Sequence, residues 1–187
     1  MNTRHVRVLL VMLFAALLIA SVPGSAHAQT TSLFLRITTP GFSACGTSTV
    51  RGHEREIILR SVEENLFHTL NPNTGLPVNT NVDGRTLKVI KDPDPCSPAL
   101  FLSTLEDGRL QRIDIFFVGM AADEPPLEVA TIQATNVQVV GFNLASDGGG
   151  APSEIVTFAL FGTLKLTVPG TSASITRCWS FAQNKVC

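Results

Sequence analysis

One long run of alternating apolar and polar residues, residues 153–168, constrains this chain more than any other stretch. At a period of two, six apolar residues share one face: Val156, Phe158, Leu160, Leu164, Leu166 and Val168. The other face carries mostly Thr and Ala, with Ile155 and Phe161 as apolar exceptions and Gly162 in the gap. This alternation predicts a half-buried strand, much longer than the usual length of about five to six residues.

A second long strand is predicted just upstream, over residues 127–144. The segment between the two, residues 145–152, reads ASDGGGAP and consists of turn-forming residues. The pattern therefore predicts a long β-hairpin. Strands of this length usually run around a barrel or along a sandwich, so the remaining strands are expected to assemble on the hairpin.

The first 28 residues have the pattern of a secretory signal. Arg4 and Arg7 form a positive start, residues 8–20 form an apolar core, and residues 26–28 (AHA) match a small-x-small cleavage site before Gln29. The apolar core has thirteen residues, which is short for a membrane span. The sequence predicts a signal peptide over 1–28, one mature domain over 29–187, and a secreted or periplasmic location.

The charge of the mature chain argues against some classes of partner. Without Arg4 and Arg7, 12 basic residues stand against 15 acidic ones, and the basic residues are not clustered. Neither nucleic acid nor a membrane is therefore expected as a partner after signal cleavage.

Four cysteines, Cys45, Cys96, Cys178 and Cys187, remain after cleavage. An even number in an exported chain predicts two disulfides, with three possible pairings. The closeness of Cys178 and Cys187 in sequence favours a bridge between them, which would leave Cys45 for Cys96. The other two pairings stay open.

The rest of the chain reads mainly as strands around one helix. A helix is predicted from a Ser97 cap, with Pro98 at its first position and Gly108 as its stop. Its apolar face is expected to consist of Leu100, Phe101 and Leu105. Residues 54–69 fit either a helix or a strand, and 68–84 read as an exposed loop. Further strands are predicted at 33–38, 85–91, 109–119 and within 173–183. The fold class is mainly all-β, a barrel or sandwich with one short α-helix.

No stretch has the complete pattern of a chemical site. His53 and Glu54 begin like a zinc-protease helix, but Ile57 stands where the second histidine should be. His68 lies in a loop, so both histidines are expected to be surface residues or hydrogen-bonded. The segments GFSAC and GGG lack the residues that a nucleophile elbow or a phosphate loop needs. We therefore predict no catalytic residues, no cofactor and no metal.

The chain resembles the Hcp family, the haemolysin co-regulated proteins that form the inner tube of type VI secretion systems. Residues 52–57 (GHEREI) resemble the family's entry to its second strand, and residues 87–100, with KD and SPAL, resemble the stretch that leads into its helix. Residues 33–38, 153–158 (SEIVTF) and 178–184 (CWSFAQN) resemble the opening strand, a core strand and the tail. The resemblance favours a strand for 54–69.

The resemblance implies two packed sheets that close a β-barrel with a helix alongside. It also implies hexameric rings that stack into tubes, with Ile155 and Phe161 as candidate subunit contacts. Two features depart from the family. This chain has a predicted signal peptide, whereas tube proteins act from the cytoplasm without one, and Cys178 stands where the family tail tends to have Gly. The sequence thus favours an exported, self-assembling Hcp-like protein. A secreted monomeric module that binds a protein or a surface polymer is the alternative, and an enzyme ranks last.

Overall fold

A computed structural model describes residues 30–42, 45–76, 82, 84–121, 124–146, 148 and 150–187. The predicted signal peptide and its cleavage site lie outside the described residues. Within these described ranges, nine strands and one helix follow in chain order: β1 (Thr30–Thr38), β2 (Ile57–Asn65), β3 (Thr86–Lys91), α1 (Ser97–Leu105), β4 (Arg109–Met120), β5 (Leu127–Ala145), β6 (Ser153–Leu160), β7 (Thr163–Val168), β8 (Ile175–Ser180) and β9 (Lys185–Val186).

Six antiparallel strands close into a barrel in the order β4-β1-β2-β3-β6-β5, because β5 pairs again with β4. Strands β7, β8 and β9 continue the sheet beyond β5 as a three-stranded flap. This architecture confirms the predicted class of a mainly β-barrel fold with one helix. It also confirms the strand, rather than the helix, within residues 54–69.

The long hairpin forms around β5, whose 19 residues make it the longest strand. One edge of β5 pairs with β4 from Leu127 to Gln138. The other edge pairs first with β7 and then with β6, so that β6 and β7 are two parts of one path along β5. The hairpin therefore belongs to both the barrel and the flap.

A bulge at Phe161 and Gly162 separates β6 from β7. The N–H groups of these two residues donate to the carbonyls of Asn136 and Thr135. A Cβ atom on Gly162 would lie 2.4 Å from the Thr135 carbonyl oxygen, so only glycine fits here. Before the bulge, β6 pairs with β3; after the bulge, β7 pairs with β8 instead.

The predicted buried face holds in the barrel and fails in the flap. Val156, Phe158 and Leu160 are buried in the core, and Leu164 remains buried beyond the bulge. Leu166 and Val168, by contrast, are 47% and 43% exposed, because the flap extends past the barrel core. The prediction that these two residues are buried was therefore wrong.

The ends of α1 also differ from the prediction. The N-cap is Cys96 rather than Ser97, and its side chain makes no capping hydrogen bond because its sulfur is in a disulfide. At the other end, Asp107 adopts the left-handed conformation with φ 56° in place of the predicted Gly108. Of the predicted apolar helix face, Leu100 is fully buried, whereas Phe101 and Leu105 are exposed.

Candidate assembly surface and supporting clusters

The two predicted subunit contacts lie on the outer side of β6 and at its end. Ile155 is half-buried and pairs with Ile90 and Asn143 on the neighbouring strands. Phe161 is 36% exposed at the bulge, and the guanidinium of Arg109 lies 4.6 Å from the centre of its ring. Phe161 lies six positions beyond Ile155 along the strand, or about 20 Å away, so the two residues do not form one contiguous patch.

Helix α1 presents a further apolar surface, on which Leu102 joins Phe101 and Leu105 of the predicted apolar face. Phe101, Leu102 and Leu105 are 48%, 49% and 67% exposed. Phe101 meets Phe142 of β5 edge to face, with ring centres 5.8 Å apart. Leu100, Phe101 and Leu102 are consecutive, so a helix cannot bury all three on one side. That run was the available signal for an exposed apolar face.

The flap forms a second apolar surface, a groove of about 330 Å³ at the end of the barrel. Leu66 from the segment after β2 lines one side, and Leu166, Trp179 and Val186 line the other. Glu64 stands at the groove, and desolvation raises its pKa above the ordinary value. The indole N–H of Trp179 is buried and has no hydrogen-bond partner among the described residues.

A buried ionic cluster joins β3, the start of α1 and β6. Lys91 is fully buried, with its ammonium 2.6 Å from Glu154 Oε2 and 3.0 Å from Asp94 Oδ1. The same ammonium donates to Ser97 Oγ at 3.0 Å and to the Asp92 carbonyl at 2.8 Å. Buried charges need partners of this kind, so the cluster fixes the helix against the barrel end.

Ser97 completes this cluster and explains why it does not cap the helix as predicted. Its hydroxyl donates to Glu154 Oε2 at 2.8 Å and accepts the N–H of Asp94 at 2.9 Å. Glu154 faces the barrel interior in register with the buried residues of β6. The SEIVTF pattern did not reveal this, because a glutamate at a strand end is usually exposed.

A second buried cluster surrounds His53 on the outer side of β1 and β4. The imidazole stacks on Phe34 at 4.9 Å between ring centres and also contacts Phe116. Its Nδ1 lies 3.0 Å from Glu56 Oε2, and Arg36 forms an ion pair with the same carboxylate. His53 is thus buried and hydrogen-bonded, and it holds the loop before β2 against the barrel wall.

Two disulfides fasten the loop and the C-terminus. Cys45 joins Cys96 across 51 residues, and Cys178 joins Cys187 across nine. These are the pairs that the sequence favoured. The first links the loop before β2 to the start of α1, and the second holds β9 on β8.

The described residues contain no group of three or more His, Cys, Asp or Glu side chains placed to hold a metal ion. Within the same ranges, no helix has the length and apolar character that crossing a membrane requires. The polar clusters described above connect elements of the fold to one another.

The family model described as "Type VI secretion system effector, Hcp" matches residues 34–167. Hcp1 from Salmonella typhimurium superposes with a TM-score of 0.68 at 24% identity, covering 84% of this chain and 99% of that chain. A structure described as a type six secretion system protein superposes with a TM-score of 0.70 at 17% identity, covering 84% of this chain and 100% of that chain.

A type VI secretion system effector from Yersinia pestis gives a TM-score of 0.61 at 17% identity, with 79% and 98% of the two chains covered. The comparison with curated proteins finds no match. At these identities the structures show a shared fold. The family model spans well over half of the sequence, and the chain therefore belongs to the Hcp family of type VI secretion system proteins.

Proposed function

We propose that this protein is a structural subunit that assembles head to tail into a ring of identical copies. The observation that carries the proposal is the match to the Hcp family over residues 34–167, together with a shared barrel fold. The family consists of structural and effector tube proteins rather than enzymes, and its members form hexameric rings. The resemblance extends that state to this chain.

A closed ring needs two different complementary patches on each subunit, because its interface is heterologous. Phe161 supplies a partly exposed aromatic ring on one side of the barrel, already stacked with Arg109. Phe101, Leu102 and Leu105 supply an apolar helix face elsewhere on the chain. Aromatic and Arg side chains are enriched at interface centres, which favours Phe161 as a contact residue.

The test is the solution mass of the oxidised mature protein, measured by light scattering over a range of concentrations. We expect a closed oligomer for the wild type and a folded monomer for Phe161→Asp, because the substitution removes the aromatic contact and places at the interface a carboxylate that must be desolvated there. Leu127→Asp is the control, since Leu127 is 61% exposed at the far end of β5. A wild type that stays monomeric at high concentration would favour the binding module instead.

We further propose that the chain is exported by its own signal peptide. The supporting pattern is the charged start, the apolar core and the AHA site before Gln29. Disulfide formation fits the oxidising compartment that such export reaches. Intact-mass measurement of protein from outside the cytoplasm should give a chain beginning at Gln29. Retention of residues 1–28 would contradict export through a cleaved signal peptide.

A further inference from the structure

The two disulfides differ in how easily a reductant can reach them. Cys187 is exposed at the end of the chain, and its partner Cys178 is half-buried. Cys96, by contrast, has no exposed surface, and Cys45 beside it is half-buried. Thiol–disulfide exchange requires a thiolate to approach one of the two sulfurs directly. The C-terminal bridge is therefore the one open to attack.

Apart from this bridge, β9 is held by its short pairing with β8 and by the turn before it, in which Phe181 is buried. Its two residues, Lys185 and Val186, pair with Ser180 and Trp179 of β8, and both are exposed. Val186 is 68% exposed, so its side chain contributes little apolar burial. The backbone N–H of Cys187 donates to the Cys178 carbonyl at 3.2 Å. Ordering a two-residue exposed strand opposes these few contacts, so we attribute the docking of β9 chiefly to the covalent link.

Strand β9 covers two features of the flap. It pairs with the last two residues of β8, leaving the outer edge of residues 175–178 without a strand partner in the described part of the chain. Val186 also lines the apolar groove beside Trp179. Releasing β9 would therefore free the edge of β8 over its full length and remove one wall of the groove. Free strand edges are templates for pairing with other chains.

We propose that the Cys178–Cys187 bridge is a redox-operated clasp that closes the end of the β8 edge at Trp179 and Ser180, together with the flap groove, when oxidised and opens them when reduced by a dithiol. One thiolate of the dithiol attacks the sulfur of Cys187 and displaces the thiolate of Cys178, which takes up a proton. The second thiol of the reagent then closes its own disulfide and releases Cys187 as a thiol. The protein bridge gains two electrons and two protons, and the dithiol is oxidised.

This clasp is independent of ring assembly and follows from the placement of the two bridges. The Cys45–Cys96 bridge lies beside the buried Lys91 cluster and is expected to stay closed under the same mild treatment. The barrel should therefore remain intact while the C-terminus opens. In an oxidising compartment the clasp is shut, and transfer to a reducing one opens it.

The test uses the wild-type protein in dithiothreitol without denaturant, with thiols trapped by alkylation over time and mapped by mass spectrometry. We expect Cys178 and Cys187 to be labelled at least about ten times faster than Cys45 and Cys96, as their exposure implies. Equal rates, or faster labelling of Cys45 and Cys96, would overturn the assignment of the C-terminal bridge.

Trp179 reports the opening directly, since it is the only tryptophan and pairs with Val186. Reduction of the C-terminal bridge should shift its emission to longer wavelength and increase its quenching by acrylamide. Amide exchange should accelerate in 182–187 and at the end of β8 while β3 and β6 remain protected. Unchanged Trp179 emission and exchange after that bridge is cut would show that β9 stays docked without it, which refutes the clasp.

Two variants separate the contributions of the bridges. Cys178→Ser/Cys187→Ser should have the shifted emission before any dithiol is added and should not respond to it. Cys45→Ser/Cys96→Ser should keep the wild-type response to the dithiol. If the response were lost only in Cys45→Ser/Cys96→Ser, the redox response would come from the Cys45–Cys96 bridge, and the proposal would be refuted.

Discussion

Replacing Lys91 by Met should be among the most destabilising single changes in the barrel. The substitution keeps an unbranched side chain of similar length but removes the ammonium that lies 2.6 Å from Glu154 and 3.0 Å from Asp94. Both carboxylates have side chains no more than 6% exposed, so neither can be solvated fully by water in its place. Removing one partner of a buried ion pair costs about 3–5 kcal/mol, and with two carboxylates left we expect about 4 kcal/mol.

Glu154→Gln should cost less, about 2 kcal/mol. The amide keeps the shape and can still accept from Ser97, while Lys91 keeps Asp94 as a counter-ion. The two changes touch the same contact, so their effects should not add. The double variant should lose about 4 kcal/mol rather than the roughly 6 kcal/mol expected for independent sites.

Urea unfolding of oxidised protein measures all three values, provided that the slope against urea is the same for each variant. Lys88→Met is the matched control on the same strand, because Lys88 is 43% exposed and only 3.4 Å from the exposed Glu63. It should change the unfolding free energy by less than about 1 kcal/mol. A cost for Lys91→Met as small as that of Lys88→Met, or full additivity with Glu154→Gln, would refute the cluster as a stabilising element.

Two further predictions concern the bridges and the groove. Removing Cys45–Cys96 should cost about 4 kcal/mol and removing Cys178–Cys187 about 2.5 kcal/mol, because the bridged separations are 51 and nine residues; equal costs in urea unfolding would contradict this loop-entropy reasoning. Partial desolvation at the groove raises the folded pKa of Glu64 above its ordinary value. The stability that protonated Glu64 contributes is therefore fully present below the unfolded pKa and is lost as the pH rises through the folded pKa. Glu64→Gln should therefore be more stable than wild type at pH 7, with a difference that shrinks toward pH 4.5, whereas a pH-independent difference would contradict it.

The barrel was predictable from the sequence because strands such as β3 and β6 are half-buried and alternate cleanly. Val156, Phe158 and Leu160 identify the inner face of β6, and turn residues mark the loop before it. Residues 54–69 were ambiguous for a physical reason. Most of the later residues of β2 are exposed on both faces, so no apolar period distinguished strand from helix there.

The candidate site was harder to predict because it depends on contacts between distant segments. Ser97 has the right type and position for a helix cap, but Glu154 and Lys91 compete for its hydroxyl. Local capping rules do not contain that competition, since Glu154 is 57 residues away in sequence. The exposed helix face at Phe101 and Leu105 was likewise assigned to the core by residue type alone.

The bulge at Gly162 explains both the success and the failure of the two-residue period in the long strand. A bulge inserts one residue against the partner strand: Leu160 pairs with Val137, whereas Leu164 pairs with Ala134. Leu164 is nevertheless buried, because β5 changes its own alternation at Asn136 (φ 50°) and Ala134 and Val137 are both buried. Beyond the bulge, β7 pairs with β8, whereas β6 pairs with β3. Beyond that point the inner face no longer has an opposite wall, so Leu166 and Val168 become partly exposed. Phe161 lies at the same bulge, and the flap begins directly after it, so one glycine helps to position both the proposed ring contact and the groove that the C-terminal bridge closes.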